Sequence, residues 1–130
     1  MRRGQLAVEM IVVASLLLLL GTAVAGQAAL QEPLARVHLR RSDAIVIAEG
    51  AASVLNGLVL SGNGSTAAIR VPDTLPDGTL LSVSVRSRLL ELRWDDATVQ
   101  VPLLAGAVSG ELVPGTTSSA VYAEGVLRLA

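Results

Sequence analysis

The residues in this chain that could carry chemistry are few, and most resolve into something simpler. Cysteine and lysine are absent, which removes thiol nucleophiles, disulfides and thiolate metal sites together. The single histidine, His38, stands beside Arg40 and Arg41 without clustered carboxylates, so a polar helix position describes it better than a metal ligand or general base. Asp95-Asp96 is a pair of adjacent carboxylates between two alternating runs, which is turn chemistry. Asp73 and Asp77 flank another loop but offer too few oxygens for a calcium site. Gly62-Asn63-Gly64-Ser65 lacks the lysine of a phosphate loop. Asn63-Gly64-Ser65 is, however, an N-x-S sequon, a candidate N-glycosylation site on an exported chain. No catalytic residue, cofactor site or metal site emerges, and no enzyme is expected. One carboxylate resists such treatment: Glu9, at the head of an apolar run.

Charge and composition narrow the partners. The 130 residues are 52% hydrophobic and 16% charged with a formal net charge of -1, and the mean hydropathy is +0.60. Without a basic field, nucleic acid is not an expected partner. Trp94 and Tyr122 are the only aromatic residues, so a core must be aliphatic and stacking platforms for bases are lacking. The apolar residues crowd into the first third. The remainder of the chain is enough for one small domain of roughly 65–95 residues.

From Met10 to Leu30 no residue is charged. A helix over such a stretch is about 30 Å long, the thickness of a bilayer's hydrocarbon core. Arg2-Arg3 before it should stay cytoplasmic and place the C-terminal part outside. Three readings fit: a single-pass anchor; a secretory signal peptide cut after Ala23-Val24-Ala25; or a segment in which Glu9 has a function. The secretory reading places a charge inside its apolar region. A carboxylate in hydrocarbon is expensive and calls for a partner.

The stretch Arg3-Gly4-Gln5-Leu6-Ala7-Val8-Glu9 resembles the class III signal peptide of archaeal type IV pilin-like proteins. The resemblance implies a leader of residues 1–4, cut by a prepilin peptidase between Gly4 and Gln5, ahead of the apolar helix. Gln5 then becomes the N-terminus, and Glu9 falls at the fifth mature position, where that family keeps a glutamate for assembly. The physical logic is that burial disfavours a charged carboxylate unless an opposite charge compensates, and a neighbouring subunit's α-amino group can do so.

Beyond residue 30 the pattern stays helical. Pro33 should kink or end the helix, yet apolar residues resume at Leu34, Val37, Ile45, Ala48, Ala52, Leu55 and Val59. Ile47, Ala51, Val54 and Leu58 form a second line beside them. One helix over about residues 5–60 is predicted, with 5–30 membrane-spanning and 31–60 amphipathic. It should stop at the turn-rich Ser61-Gly62-Asn63-Gly64-Ser65. From Thr66 the period becomes two, giving half-buried strands ending near Val71, Arg86, Trp94 and Leu103, with shorter ones over residues 108–113 and 120–129, the last divided near Gly125. Short connections predict antiparallel neighbours. The layout is also similar to that of archaeal pilin-like proteins, with its Val108-Ser109-Gly110-Glu111-Leu112 and Pro114-Gly115 before a terminal strand.

The sequence therefore predicts an α+β chain: a long N-terminal hydrophobic helix, then a small antiparallel β domain over residues 66–130 packed on the helix's second half. The expected function is structural. The chain would be a subunit of an extracellular type IV pilus-like filament whose β domains carry adhesion or surface contacts, held in the cytoplasmic membrane as a precursor. Its partners would be copies of itself, a prepilin peptidase and the assembly machinery. The rival is a membrane-tethered or secreted β-domain binding module, or a minor pilin-like subunit, that never forms the filament.

Overall fold

The computed structural model describes residues 2–130, with side chains from Gly4 onward. Met1 and the side chains of Arg2 and Arg3, the front of the expected leader, lie outside the described residues. Helix α1 (Arg2–Ser61) precedes seven strands: β1 (Ser65–Arg70), β2 (Ser82–Arg86), β3 (Leu89–Trp94), β4 (Ala97–Pro102), β5 (Ala107–Ser109), β6 (Thr117–Ala123) and β7 (Val126–Leu129). The class is α+β. Two compact units divide the chain, the first ending at His38 and the second comprising Leu39–Ala130.

The first unit is helix alone, and every described residue from Gly4 to His38 is exposed. Leucine fills five consecutive positions, Leu16–Leu20, so the apolar surface goes all round instead of forming one stripe. Its hydroxyls are satisfied within the helix: Ser15 Oγ donates to the Ile11 carbonyl at 2.8 Å and Thr22 Oγ1 to the Leu19 carbonyl at 2.9 Å. That is how polar side chains are accommodated where water is absent. Pro33 lies inside α1. It removes one backbone hydrogen bond but does not end the helix, because the flanking turns keep theirs.

In the second unit α1 buries Ala44, Ala48, Ala51, Ala52, Leu55 and Leu58. Steps of three and four put these on one face. The buried stripe is shorter than predicted: Leu34 and Val37 are 62% and 59% exposed, Val54 is 41% exposed, and Ala44 is fully buried though it belonged to neither predicted line. The long residues selected by hydropathy thus lie outside the core at these positions, while small alanines face it.

The strands form two sheets, one of order β1-β6-β7-β5 and one of order β2-β3-β4. The second is a meander whose hairpins turn through two residues each, Ser87-Arg88 and Asp95-Asp96. Ser87 and Asp95 both take positive φ. β6 and β7 close through Glu124-Gly125, both at positive φ, the requirement of a type I′ hairpin. Short connections thus give antiparallel neighbours as predicted. The exception is β5, which pairs parallel with β7. A parallel pair needs a crossover, and here the segment containing β6 supplies it. β5 is also shorter than the predicted 108–113, stopping before Gly110, where φ is +91°. The core is aliphatic around Trp94: Leu90 and Leu92 from β3, Leu127 and Leu129 from β7, Ile69 from β1 and Leu55 from α1 are all buried.

Candidate functional site

Glu9 lies on α1 with an exposed apolar surface around it. Leu6, Val8, Met10 and Ile11 are 61–72% exposed. Helical spacing puts Gln5, Leu6, Val12 and Val13 beside it, so its surroundings are apolar except at Gln5. Among the described residues no ion pair reaches its carboxylate. In water that carboxylate is simply hydrated. Removed from water, it needs an opposite charge or a proton.

Gly4 and Gln5, the predicted scissile pair, both lie within α1. A Cβ added at Gly4 would meet nothing within 4 Å, so packing does not require glycine there, and a helical glycine costs about 1 kcal/mol relative to alanine. The same open space surrounds Gly21 and Gly26. α1 contains a window of mean hydropathy 2.3, long and apolar enough to cross a membrane by length and composition.

Asn63 sits at the corner between α1 and β1, exposed. Gly62 and Gly64 on either side have φ of +91° and +87°, a conformation that favours glycine. The corner is tied on several sides. Gly62 N–H donates to the Leu58 and Val59 carbonyls at 3.2 and 3.3 Å, and Gly64 N–H to the Tyr122 carbonyl at 2.8 Å. Ser65 Oγ donates to the Leu58 carbonyl at 2.7 Å, and Asn63 Oδ1 accepts from Glu124 N–H at 2.6 Å. Both polar side chains of the sequon are therefore engaged.

A polar cluster that sequence reasoning missed lies at Arg40. Its guanidinium donates through Nε to Asp77 and through Nη1 to Asp95 at 3.2 Å, tying α1 to the loop before β2 and to the β3–β4 turn. Asp77 also accepts from Thr79 N–H at 3.0 Å. Hydrogen bonds from the Thr79 hydroxyl and backbone, then from Arg40, hold the Asp77 carboxyl down at about 2. Arg40 stands four residues before Ala44 and so shares the buried face, but hydropathy does not mark Ala44 itself as buried, so the sequence carries no direct signal for this cluster. Asp73 and Asp77 do not form a cation site, since Asp77 is committed to Arg40 and Thr79. Among the described residues no group of three or more His, Asp or Glu could hold a metal ion. His38 is exposed.

An open groove of about 270 Å³ runs between α1 and β1, lined by Val46, Gly50, Val54, Ala68 and Arg70 among others. Arg70 is the one charged residue lining it, so acid–base partners do not converge there. In comparisons with known proteins, no family model, curated protein or solved structure matches this chain.

Proposed function

We propose that this chain is a structural subunit of an extracellular type IV pilus-like filament. In this reading a prepilin peptidase cuts between Gly4 and Gln5, and the apolar helix holds the precursor in the cytoplasmic membrane. The assembly machinery then transfers that helix into a bundle of identical helices. Head-to-tail contacts that do not close generate a helical filament, and the β domain faces outward as the adhesive surface. A glycan on Asn63 would sit at that surface.

One observation carries the reading: the α1 segment over residues 5–30 is apolar on all sides and exposed throughout, and its single carboxylate, Glu9, stands five residues after Gly4. Such a surface must be covered, first by lipid and then by copies of itself. Among the described residues no ion pair reaches Glu9, and the α-amino group released at Gln5 of a neighbouring subunit is the charge it would meet.

Mass spectrometry of the mature N-terminus is the decisive measurement. A chain beginning at Gln5 is expected, and one beginning at Gly26 would replace the filament with a secreted module. Glu9→Gln should be processed normally yet fail to assemble, as seen by electron microscopy of sheared filaments. Normal filaments from that variant would remove the role assigned to Glu9.

A further inference from the structure

The corner that carries the sequon also carries an Asn-Gly bond, and its hydrogen bonds bear directly on that bond's reactivity. Asparagine followed by glycine rearranges most readily, because no side chain hinders the glycine nitrogen. The Gly64 amide nitrogen loses its proton and attacks Asn63 Cγ. A Cγ–N bond forms, the Cγ–Nδ2 bond breaks, and ammonia leaves with the proton, closing a five-membered succinimide. Water then adds to either ring carbonyl, giving aspartate or isoaspartate. No oxidant or reductant is needed.

Asn63 is exposed, so burial does not protect it. Its protection lies in two hydrogen bonds. The nucleophile's proton is committed, since Gly64 N–H donates to the Tyr122 carbonyl at 2.8 Å. The electrophile is held as well, with Asn63 Oδ1 accepting from Glu124 N–H at 2.6 Å. Both acceptor and donor belong to the β6–β7 hairpin, next to β1 in the sheet, where Ser65 pairs with Tyr122. Ring closure must turn Cγ toward the Gly64 nitrogen and free that nitrogen's proton, so the hairpin must first release the corner.

We propose that Asn63-Gly64 is a succinimide-forming bond held unreactive by the β6–β7 hairpin, so that conversion at Asn63 marks chains whose α1–β1 corner has opened. The product is not benign. An isoaspartyl link adds a backbone carbon between two glycines held at positive φ and displaces the start of β1. A glycan on Nδ2 would replace the primary amide that departs as ammonia, so the same residue has two exclusive fates.

The test uses the full chain in detergent micelles, incubated in mildly alkaline buffer. Conversion at Asn63 is followed by peptide mapping with isoaspartate-specific detection, beside the same chain unfolded in denaturant. Reaction through a locally opened state makes the folded chain at least about tenfold slower than the unfolded one. Glu124→Pro, which deletes the donor to Asn63 Oδ1 and cannot hold the positive φ of the β6–β7 turn, should raise the folded rate several-fold, with hydrogen exchange at Gly64 reporting whether the corner opened. Equal rates in the folded and unfolded wild-type chain would overturn the proposal without reference to any variant. So would a Glu124→Pro chain whose Gly64 exchanges faster while Asn63 converts no sooner.

Discussion

The Arg40 guanidinium and the Asp77 carboxylate form an ion pair between α1 and the loop ahead of β2, with Asp95 joining from the β3–β4 turn. Asp77 is held at about 2, first by the Thr79 hydroxyl and backbone and then by Arg40. The sign follows from the depression. A carboxyl whose folded pKa lies below its unfolded value stabilises the fold fully above the unfolded value, and that contribution is lost as pH falls through the folded one. The window therefore runs from the ordinary aspartate value, near 3.8, down to about 2. Arg40→Gln should raise the Asp77 titration midpoint and leave it still below the ordinary value, because Thr79 remains. Carboxyl-carbon NMR titration measures this; an unchanged midpoint would mean that Arg40 does not act on Asp77.

The α1 faces differ in what they do for stability. Leu55 is fully buried whereas Leu34 is 62% exposed. Leu55→Ala removes a core side chain and leaves a cavity, an expected loss of about 2–5 kcal/mol. Leu34→Ala should leave the stability of Leu39–Ala130 unchanged within about 0.5 kcal/mol. Denaturant unfolding followed by Trp94 fluorescence distinguishes them, since Trp94 is itself buried in that core.

Period and turn chemistry made most of this architecture legible in the sequence. Alternation of residue type found β1 through β4 within a residue or two, with β1, β3 and β4 also alternating between more and less covered positions while β2 does not, and Glu124-Gly125 divides the last run where Gly125 indicated. Three things were not legible. Ala44 weighs little on any hydropathy count, yet it is buried because a helix can approach a sheet where side chains are small. The parallel β5–β7 pair is a matter of topology, which local pattern does not encode. Arg40 has its partners, Asp77 and Asp95, far along the chain, where no local pattern links them to it. At the other end, Gly4, Gln5 and Glu9 were visible as a linear pattern, and the exposed helix that carries them was visible as composition.

Asn56 offers a test of how the helix holds the chain after β4. Its Oδ1 accepts from Leu104 N–H at 2.7 Å and its Nδ2 donates to the Pro102 carbonyl at 3.4 Å. One carboxamide thus brackets Leu103, which is buried. Asn56→Ala should cost about 1 kcal/mol from the shorter bond, the longer being too stretched to add much. Amide exchange at Leu104 should speed up while exchange within β3 is unaffected. Unchanged protection at Leu104 would show that packing of Leu103, and not the carboxamide, fixes this segment.

Gly110 and Gly78 share a conformation but not surroundings. Their φ values are +91° and +87°. A Cβ at Gly110 would lie 1.9 Å from the Leu129 carbonyl oxygen, whereas one at Gly78 would meet nothing within 4 Å. Gly78→Ala therefore incurs only the left-handed backbone penalty, about 1–2 kcal/mol. Gly110→Ala adds a clash with main-chain atoms that no rotamer relieves, so β5 must separate from β7 or the end of β7 must shift. The expected loss is about 3 kcal/mol or more, with exchange rising first at the β5–β7 pairs Val108–Leu127 and Ser109–Arg128. Equal destabilisation of the two variants would mean that backbone conformation alone, and not the approach of Leu129, demands glycine at position 110.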